Sequence, residues 1–598
     1  MALAVTSTAA AAPQPLGHAC SPHPLGARYC PTPVPTQDSD QRVPSWDGAP
    51  LQVNVTLPPT GDGPWPTIVM LPGYGGSDGV SWEAWEGSSG SNFGTEFNNI
   101  GFVKRGYAVV TMNFRGVGYS CGPVYAQTAQ NAVWRTADVE SCEGVSFNFA
   151  DQRYDARDVQ WVLGLLVDEG IAEPKALGVA GESLGSLVTN ELALLHDRVR
   201  LPDGRFAPWT SPKGTPLRIG AAYPIWALSS LADAAAPNGR FLSTDPETAT
   251  SEGEPVGAIK LTVPMSIAAA APVYTRAVPA EPGGFSLFAT TTYAILAAPD
   301  GPGTGAILDE IRTYHQAVGM PLGSGVAPIL MQTGWGDLLT NGAAQAARLV
   351  AYLEKEAPQA EIALQIADAG HPLAANKRAD LEAMTGQAFA FFGRHLQNQP
   401  GGPQPGSVTA YTSTCPTAAP SGGPYVAKGI EALASDVVRF ASAAPQTVVG
   451  GGDASIGVVF DPILNTGSGG HPECQPSTPA EVPGTAVYTQ PVTETFTTLG
   501  FPTLRMNIAT IGDGGQLNAR LWRVAPDGSQ TYVSRGTYAL TRNQTGTITW
   551  ELWGAGFTFE KGDSIRLELL AQDVPLQRPS RAPFAVTVSD LAVELPSR

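Results

Sequence analysis

Along residues 51–228 the apolar positions fall into short, nearly unbroken runs separated by stretches of helical period. The runs are 51–58 (LQVNVTLP), 66–72 (PTIVMLP), 107–114 (YAVVTMNF), 175–180 (KALGVA) and 217–228 (LRIGAAYPIWAL). The clearest helical stretches are 154–168 (YDARDVQWVLGLLVD) and 186–196 (SLVTNELALLH). Runs with no polar face, alternating with helices, fit strands covered on both sides, so the pattern predicts a mostly parallel sheet between helical layers. The alternation stops near 229. From there to 324 the chain is rich in Ala, Pro and Gly, with a helical piece at 306–318, which predicts a helical insertion. It resumes with strand 327–334, helix 342–355, strand 361–367 and helix 378–396.

A Gly- and Pro-rich stretch, 398–406 (NQPGGPQPG), reads as a linker. Beyond it helical period nearly vanishes and short alternating strands follow at 500–510, 516–523, 531–540, 546–553, 564–570 and 585–595. That pattern predicts an antiparallel β-sandwich or jelly roll. The expected organisation is a tail over 1–45, an α/β domain in two parts over 46–228 and 325–400, a cap over 229–324 and a β-domain over 401–598.

Composition narrows the class. The chain has 598 residues, 43% of them apolar and 15% charged, enough to build several cores rather than a disordered polymer. Its formal charge of −18 repels phosphate backbones and argues against a nucleic-acid partner. No apolar run is long enough for a transmembrane helix. The N-terminal residues 1–13 are small and apolar with an Ala-x-Ala stretch and no basic segment, as the trimmed end of a secretory signal would be. Six cysteines fit the same oxidising setting, and their simplest pairing joins sequence neighbours: Cys20 with Cys30, Cys121 with Cys142, Cys415 with Cys474. No Cys-x-x-Cys pair or His cluster offers a metal site, and no cofactor is expected.

The chemistry centres on a Gly-x-Ser-x-Gly pattern, which occurs twice: Gly75–Gly79 around Ser77 and Gly181–Gly185 around Ser183. Only Ser183 lies between an apolar strand and an apolar helix, the setting of a nucleophile elbow. The helix N-terminus behind it favours a developing oxyanion, with the N–H of Leu184 as one donor. Leu71-Pro72-Gly73-Tyr74 ends an earlier strand, where such a sheet places a second donor, Tyr74. Among seven histidines, His371 alone directly follows a resumed sheet strand, so it is the expected base. Asp337, in Gly334-Trp335-Gly336-Asp337 at the end of strand 327–334, is the expected acid and gives the order Ser183, Asp337, His371. Asp368 is the rival acid, too near His371 in sequence to reach around the ring.

At these residues the chain resembles the peptidase S15 family of α/β-hydrolases, which includes X-Pro dipeptidyl-peptidases, cocaine-esterase-type enzymes and related acylases. Asn113-Phe114-Arg115-Gly116-Val117-Gly118-Tyr119-Ser120 is similar to that family's Asp-x-Arg-Gly-x-Gly-x-Ser segment, with Asn113 in place of the aspartate. Tyr154-Asp155-Ala156-Arg157-Asp158, Gly334–Asp337 and the Phe557–Glu568 stretch resemble further family segments, and together they span residues 45–598. The resemblance implies an α/β-hydrolase with a helical cap inserted before the acid-bearing strand, and a C-terminal jelly roll beside the active site. The expected activity is that of a secreted serine hydrolase acting on an ester or amide substrate, small, polymeric or peptidic. A dipeptidyl-peptidase would need carboxylates for a free amine, and the insertion offers Asp233, Asp245, Glu247, Glu252 and Glu254. Its apolar stretches, Leu261–Pro279 and Phe285–Ala298, suit an apolar acyl group instead, and this puts the esterase first. A silent homologue whose β-domain binds carbohydrate through Trp522 or Trp553 is the remote alternative.

Overall fold

The computed structural model describes residues 13–36, 39–74, 82–84, 95–125, 133–135, 140–250, 256–260, 302–371, 375–451, 474, 477–478, 483–574, 576–580 and 582–598. Eleven strands form one sheet: β1 (Ser21–His23), β2 (Ala27–Cys30), β3 (Val53–Leu57), β4 (Trp65–Leu71), β5 (Ala108–Met112), β6 (Ala172–Glu182), β7 (Ala221–Ile225), β8 (Ile329–Gly334), β9 (Ile362–Ala367), β10 (Ser407–Thr412) and β11 (Gly422–Lys428). Their order is β1-β2-β3-β5-β4-β6-β7-β8-β9-β10-β11. From β5 to β10 every neighbour is parallel, and the pairs at both ends are antiparallel.

Each parallel strand buries both of its faces, as its unbroken apolar run requires. On β4, Val69 and Leu71 face the core built with α2 (Asp155–Asp168), α3 (Leu184–Leu195) and α6 (Ala343–Glu356). Ile68 and Met70 face the opposite core, with α1 (Asn99–Val103) and α7 (Arg378–Gln397). The period-2 alternation thus feeds two helical layers from one strand. In the insertion, α4 (Leu231–Ala235) and α5 (Pro302–Tyr314) are helical. The apolar stretches 261–279 and 285–298, together with Glu252 and Glu254, lie outside the described residues.

Two stretches behave differently from their sequence pattern. The N-terminal segment expected to be tail contributes β1 and β2 to the sheet, held by the Cys20–Cys30 disulfide. The linker at 398–406 does not end the sheet either. After it β10 pairs parallel to β9 and β11 closes the edge, so the β-domain's own strands start only beyond residue 428. The Ser-, Thr-, Pro- and Gly-rich composition of 403–424 hides those two strands.

The C-terminal residues form two packed antiparallel sheets. One holds seven strands centred on Phe584–Ser597, and the other holds Ala486–Pro491, Ser564–Leu570, Gly515–Val524 and Gln530–Leu540. Leu504, Met506, Val586 and Val588 from the first sheet share a core with Leu517, Leu521, Leu567 and Leu569 from the second. The other two disulfides join Cys121 to Cys142 and Cys415 to Cys474, and no described cysteine is free. Among the described residues no helix is long and apolar enough to cross a membrane.

Candidate active site

Three sheet strands deliver three side chains to one point. β6 ends at Glu182, and Ser183 follows at φ 52° and ψ −114°, a left-handed backbone that a non-glycine residue adopts only when its surroundings force it. The glycines around it are there because the chain passes too close to itself. A Cβ on Gly181 would lie 2.5 Å from the Gly185 carbonyl oxygen, and one on Gly185 would lie 2.7 Å from the carbonyl oxygens of Leu71 and Pro72. α3 begins at Leu184, so its N–H belongs to a first turn whose amides have no intrahelical acceptor. Ser186 locks the turn by donating its hydroxyl to the Ser183 carbonyl at 2.6 Å and to the Trp226 carbonyl at 3.2 Å.

Ser183 Oγ stands 2.7 Å from His371 Nε2, and His371 Nδ1 stands 2.8 Å from Asp337 Oδ2. Asp337 and His371 are buried, and Ser183 is half-buried. Burial alone would raise the Asp337 carboxyl, but the His371 ring, the Thr340 N–H and the Lys260 ammonium hold it below the usual carboxylate range. An ionised carboxylate only accepts, so Nδ1 carries the ring proton and Nε2 presents its lone pair to the Ser183 hydroxyl. Asp337 Oδ1 also accepts the N–H groups of Leu339 at 3.1 Å and Thr340 at 3.3 Å, which fixes the carboxylate plane.

The loops that carry Asp337 and His371 are stitched together. The Trp335 N–H donates to the Ala367 carbonyl at 3.0 Å, joining the ends of β8 and β9. Asn376 clamps the residue before the imidazole from both sides: its Oδ1 accepts the Gly370 N–H and its Nδ2 donates to the Gly370 carbonyl, each at 2.9 Å. Asp368, the rival acid, accepts the Ala375 N–H at 3.1 Å and so helps close the base loop. Trp226 follows β7 at φ 54° with its ring centroid 4.8 Å from that of His371. The roles of Asn376 and Trp226 carry no motif in the sequence. Their only trace is position, directly after a sheet strand for Trp226 and just past the histidine for Asn376.

The loop after β4 packs against Ser183. A Cβ on Gly73 would lie 3.4 Å from Ser183 Cβ and 3.0 Å from Glu182 Oε1. Tyr74, the next residue, packs its ring 5.7 Å from those of both Phe147 and Phe149. Residues 75–80, including Ser77 of the other Gly-x-Ser-x-Gly match, lie outside the described residues. Glu182, directly before Ser183, belongs to the site as well. Its Oε2 is buried with no hydrogen-bond partner among the described residues, and burial pushes its carboxyl up to about 7 against the pull of His371. Other histidines have different partners: His315 Nδ1 bonds the Phe149 carbonyl at 3.0 Å, and His395 packs edge-on to Phe391.

Behind the site the buried pair Arg115 and Asp158, with the exposed Asp47, joins distant segments. Arg115 bonds Asp158 at 2.8 and 2.5 Å and Asp47 at 2.8 Å, tying the loop after β5 to α2. These attractions outweigh burial and hold Arg115 above the usual guanidinium value. The described residues contain no group of three or more His, Cys, Asp and Glu side chains placed to hold a metal ion.

The family model described as "X-Pro dipeptidyl-peptidase (S15 family)" matches residues 47–140, and "X-Pro dipeptidyl-peptidase C-terminal non-catalytic domain" matches 399–590. Neither stretch contains Ser183, Asp337 or His371. A search of curated proteins gives no match. Among solved structures, an aminopeptidase from a marine sediment Thaumarchaeota archaeon superposes with a TM-score of 0.59 at 12% identity, covering 96% of this chain and 97% of that one. An α-amino acid ester hydrolase does so with a TM-score of 0.56 at 14% identity over 96% and 97%, and a CocE/NonD family hydrolase from Staphylococcus aureus with 0.55 at 12% over 95% and 94%. At these identities the likeness is one of fold, an α/β-hydrolase sheet followed by a C-terminal antiparallel β-domain.

Proposed function

As a serine hydrolase of the peptidase S15 family, this chain, we propose, cleaves carboxylic ester bonds by two-step acyl transfer. The observation that carries the proposal is the hydrogen-bonded series from Ser183 Oγ through His371 to Asp337, at 2.7 and 2.8 Å, on a strained elbow. Ser183 attacks the carbonyl carbon while His371 Nε2 takes its proton, and Asp337 holds the imidazole and steadies the cation that forms. The N–H groups of Leu184 and Tyr74 receive the oxyanion. The alcohol leaves with the proton from His371, and a water activated by the same nitrogen then releases the acid.

The insertion's described carboxylates favour the ester reading over the peptide one. Asp233 pairs with Arg348 at 2.9 Å and accepts from Gln345 at 3.0 Å, Glu247 pairs with Lys355 at 2.6 Å, and Asp245 caps the turn at Pro246–Thr248. Carboxylates already engaged in this way are poor receptors for the free α-amine of a dipeptidyl-peptidase substrate. We also place the protein outside the cytoplasm, on its three disulfides. The test is hydrolysis of p-nitrophenyl butyrate beside Gly-Pro-p-nitroanilide, with Ser183→Ala as control. The ester alone is expected to turn over, with the variant slower by about 10⁴-fold or more. Anilide turnover that requires a free amine makes the protein a dipeptidyl-peptidase, and a fully active variant removes Ser183 as nucleophile.

A further inference from the structure

Lys260 is fully buried, beside the acid of the triad but outside the sheet that supplies it. Its Nζ donates to the carbonyl oxygens of Leu338 at 2.9 Å and Leu339 at 3.2 Å, the two residues directly after Asp337. Those two carbonyls belong to the turn whose N–H groups hold Asp337 Oδ1. The same ammonium sits 4.6 Å from the ring centroid of Trp553, a β-domain residue. Its backbone is tied in two further directions. The Lys260 N–H donates to Ala235 at the end of α4, and the segment bridges to Gln577 and Arg578 of the β-domain. One side chain thus joins the insertion, the β-domain and the acid loop.

A buried cation is costly unless something nearby needs it. The charged groups that face it are Asp337 from the acid loop, Asp233 from α4 and Arg535 from the β-domain strand Gln530–Leu540. Asp233 is shared with Arg348 at 2.9 Å and Arg535 with Asp573 at 2.6 Å, while Asp337 is paired with the His371 imidazole at 2.8 Å. Burial pulls the Lys260 ammonium down to about 7, and the two carboxylates limit the fall. His371 in turn is faced by Asp337, by Ser183 and, from the end of β6, by the Glu182 carboxyl.

We propose that Lys260 is a positioning residue for the triad acid, clamping the Leu338–Leu339 turn and adding a positive charge that opposes protonation of His371. The proposal rests on the Ser183–His371–Asp337 assignment. With Lys260 charged, Asp337 is partly neutralised and the imidazolium gains less from it. Without that charge the imidazolium is favoured, so the base stays protonated to higher pH. The insertion and the β-domain therefore both reach the base through this one contact.

The test compares wild type with Lys260→Met, Lys260→Gln and Lys260→Arg on p-nitrophenyl butyrate across pH, with Ser183→Ala alongside. The neutral variants are expected to keep KM within about twofold and to lose about tenfold in kcat, since a loosened acid misplaces the base. The acid limb of kcat/KM is expected to move up by roughly half a pH unit in both and to return with Arg, which keeps the charge. Should the methionine variant not fold, the glutamine variant carries the comparison. Neutral variants with a wild-type acid limb and kcat would overturn the proposal, as would an arginine variant that behaves like them. An active Ser183→Ala overturns the triad assignment instead, which keeps the two failures apart.

Discussion

The residue that the site's chemistry leaves over is Glu182. It directly precedes Ser183, its Oε2 is buried without a partner among the described residues, and its carboxyl is raised to about 7 by burial. Such a group is at ease in the fold while protonated and costs stability once it ionises. With a folded value of about 7 against 4.5 when exposed, its contribution is fully present below about pH 4.5 and is lost as pH rises through 7. Glu182→Gln keeps the shape and cannot ionise. The variant is expected to match wild type in thermal stability near pH 4.5 and to exceed it progressively toward pH 8, by at most about 3 kcal/mol. Calorimetry at a series of pH values checks this, and a gap that stays constant across the series contradicts it. At the same scale, legibility divided by the type of signal. The elbow's small residues at fixed offsets single out Ser183 as a candidate, countable strand ends single out His371 and Asp337, and the structure brings the three within hydrogen-bond reach. Trp226 and Lys260 meet the site through contacts between remote parts of the chain, and Asn376 through a short loop closure on Gly370 that carries no motif.

Among the elements, the acid loop is the most tightly specified. Trp335 reaches out of the hydrolase sheet, donates its indole N–H to the Tyr411 carbonyl at 2.8 Å, and lies against Gly554 and Gly556, at the turn into the β-domain strand Ala555–Phe559. A Cβ on Gly556 would come within 2.2 Å of Trp335 Nε1, so only glycine fits there. Gly556→Ala is therefore expected to push the indole back toward Asp337, lowering kcat as well as costing about 1–3 kcal/mol of stability through overpacking. Activity assays and denaturant unfolding of the variant check both parts, and an alanine variant with unchanged kcat would show that the acid loop does not depend on the β-domain turn. Strands with long apolar runs, β4 through β9, were readable because covering both faces removes polar positions. β10 and β11 were not, because a sheet edge tolerates the Ser, Thr, Pro and Gly that also build loops.

For the whole molecule, the two-part architecture follows from where the chain changes its period, from helix-with-strand to alternation alone. The exact seam did not follow, since the polypeptide finishes the first sheet before starting the second domain. The three disulfides close short to moderate loops, with sequence separations of 10, 21 and 59, and pairing sequence neighbours was the geometry that local loops favour. The insertion, the β-domain and the sheet meet at Asp337, so the account as a whole depends on that carboxylate serving His371, and through it Ser183. The most direct measurement is peptide mapping by mass spectrometry after inactivation with an alkyl phosphonofluoridate. The account predicts one adduct per chain, on the peptide containing Ser183, and none on Ser183→Ala. A stoichiometric adduct on another residue, or full activity with Ser183 modified, would contradict it.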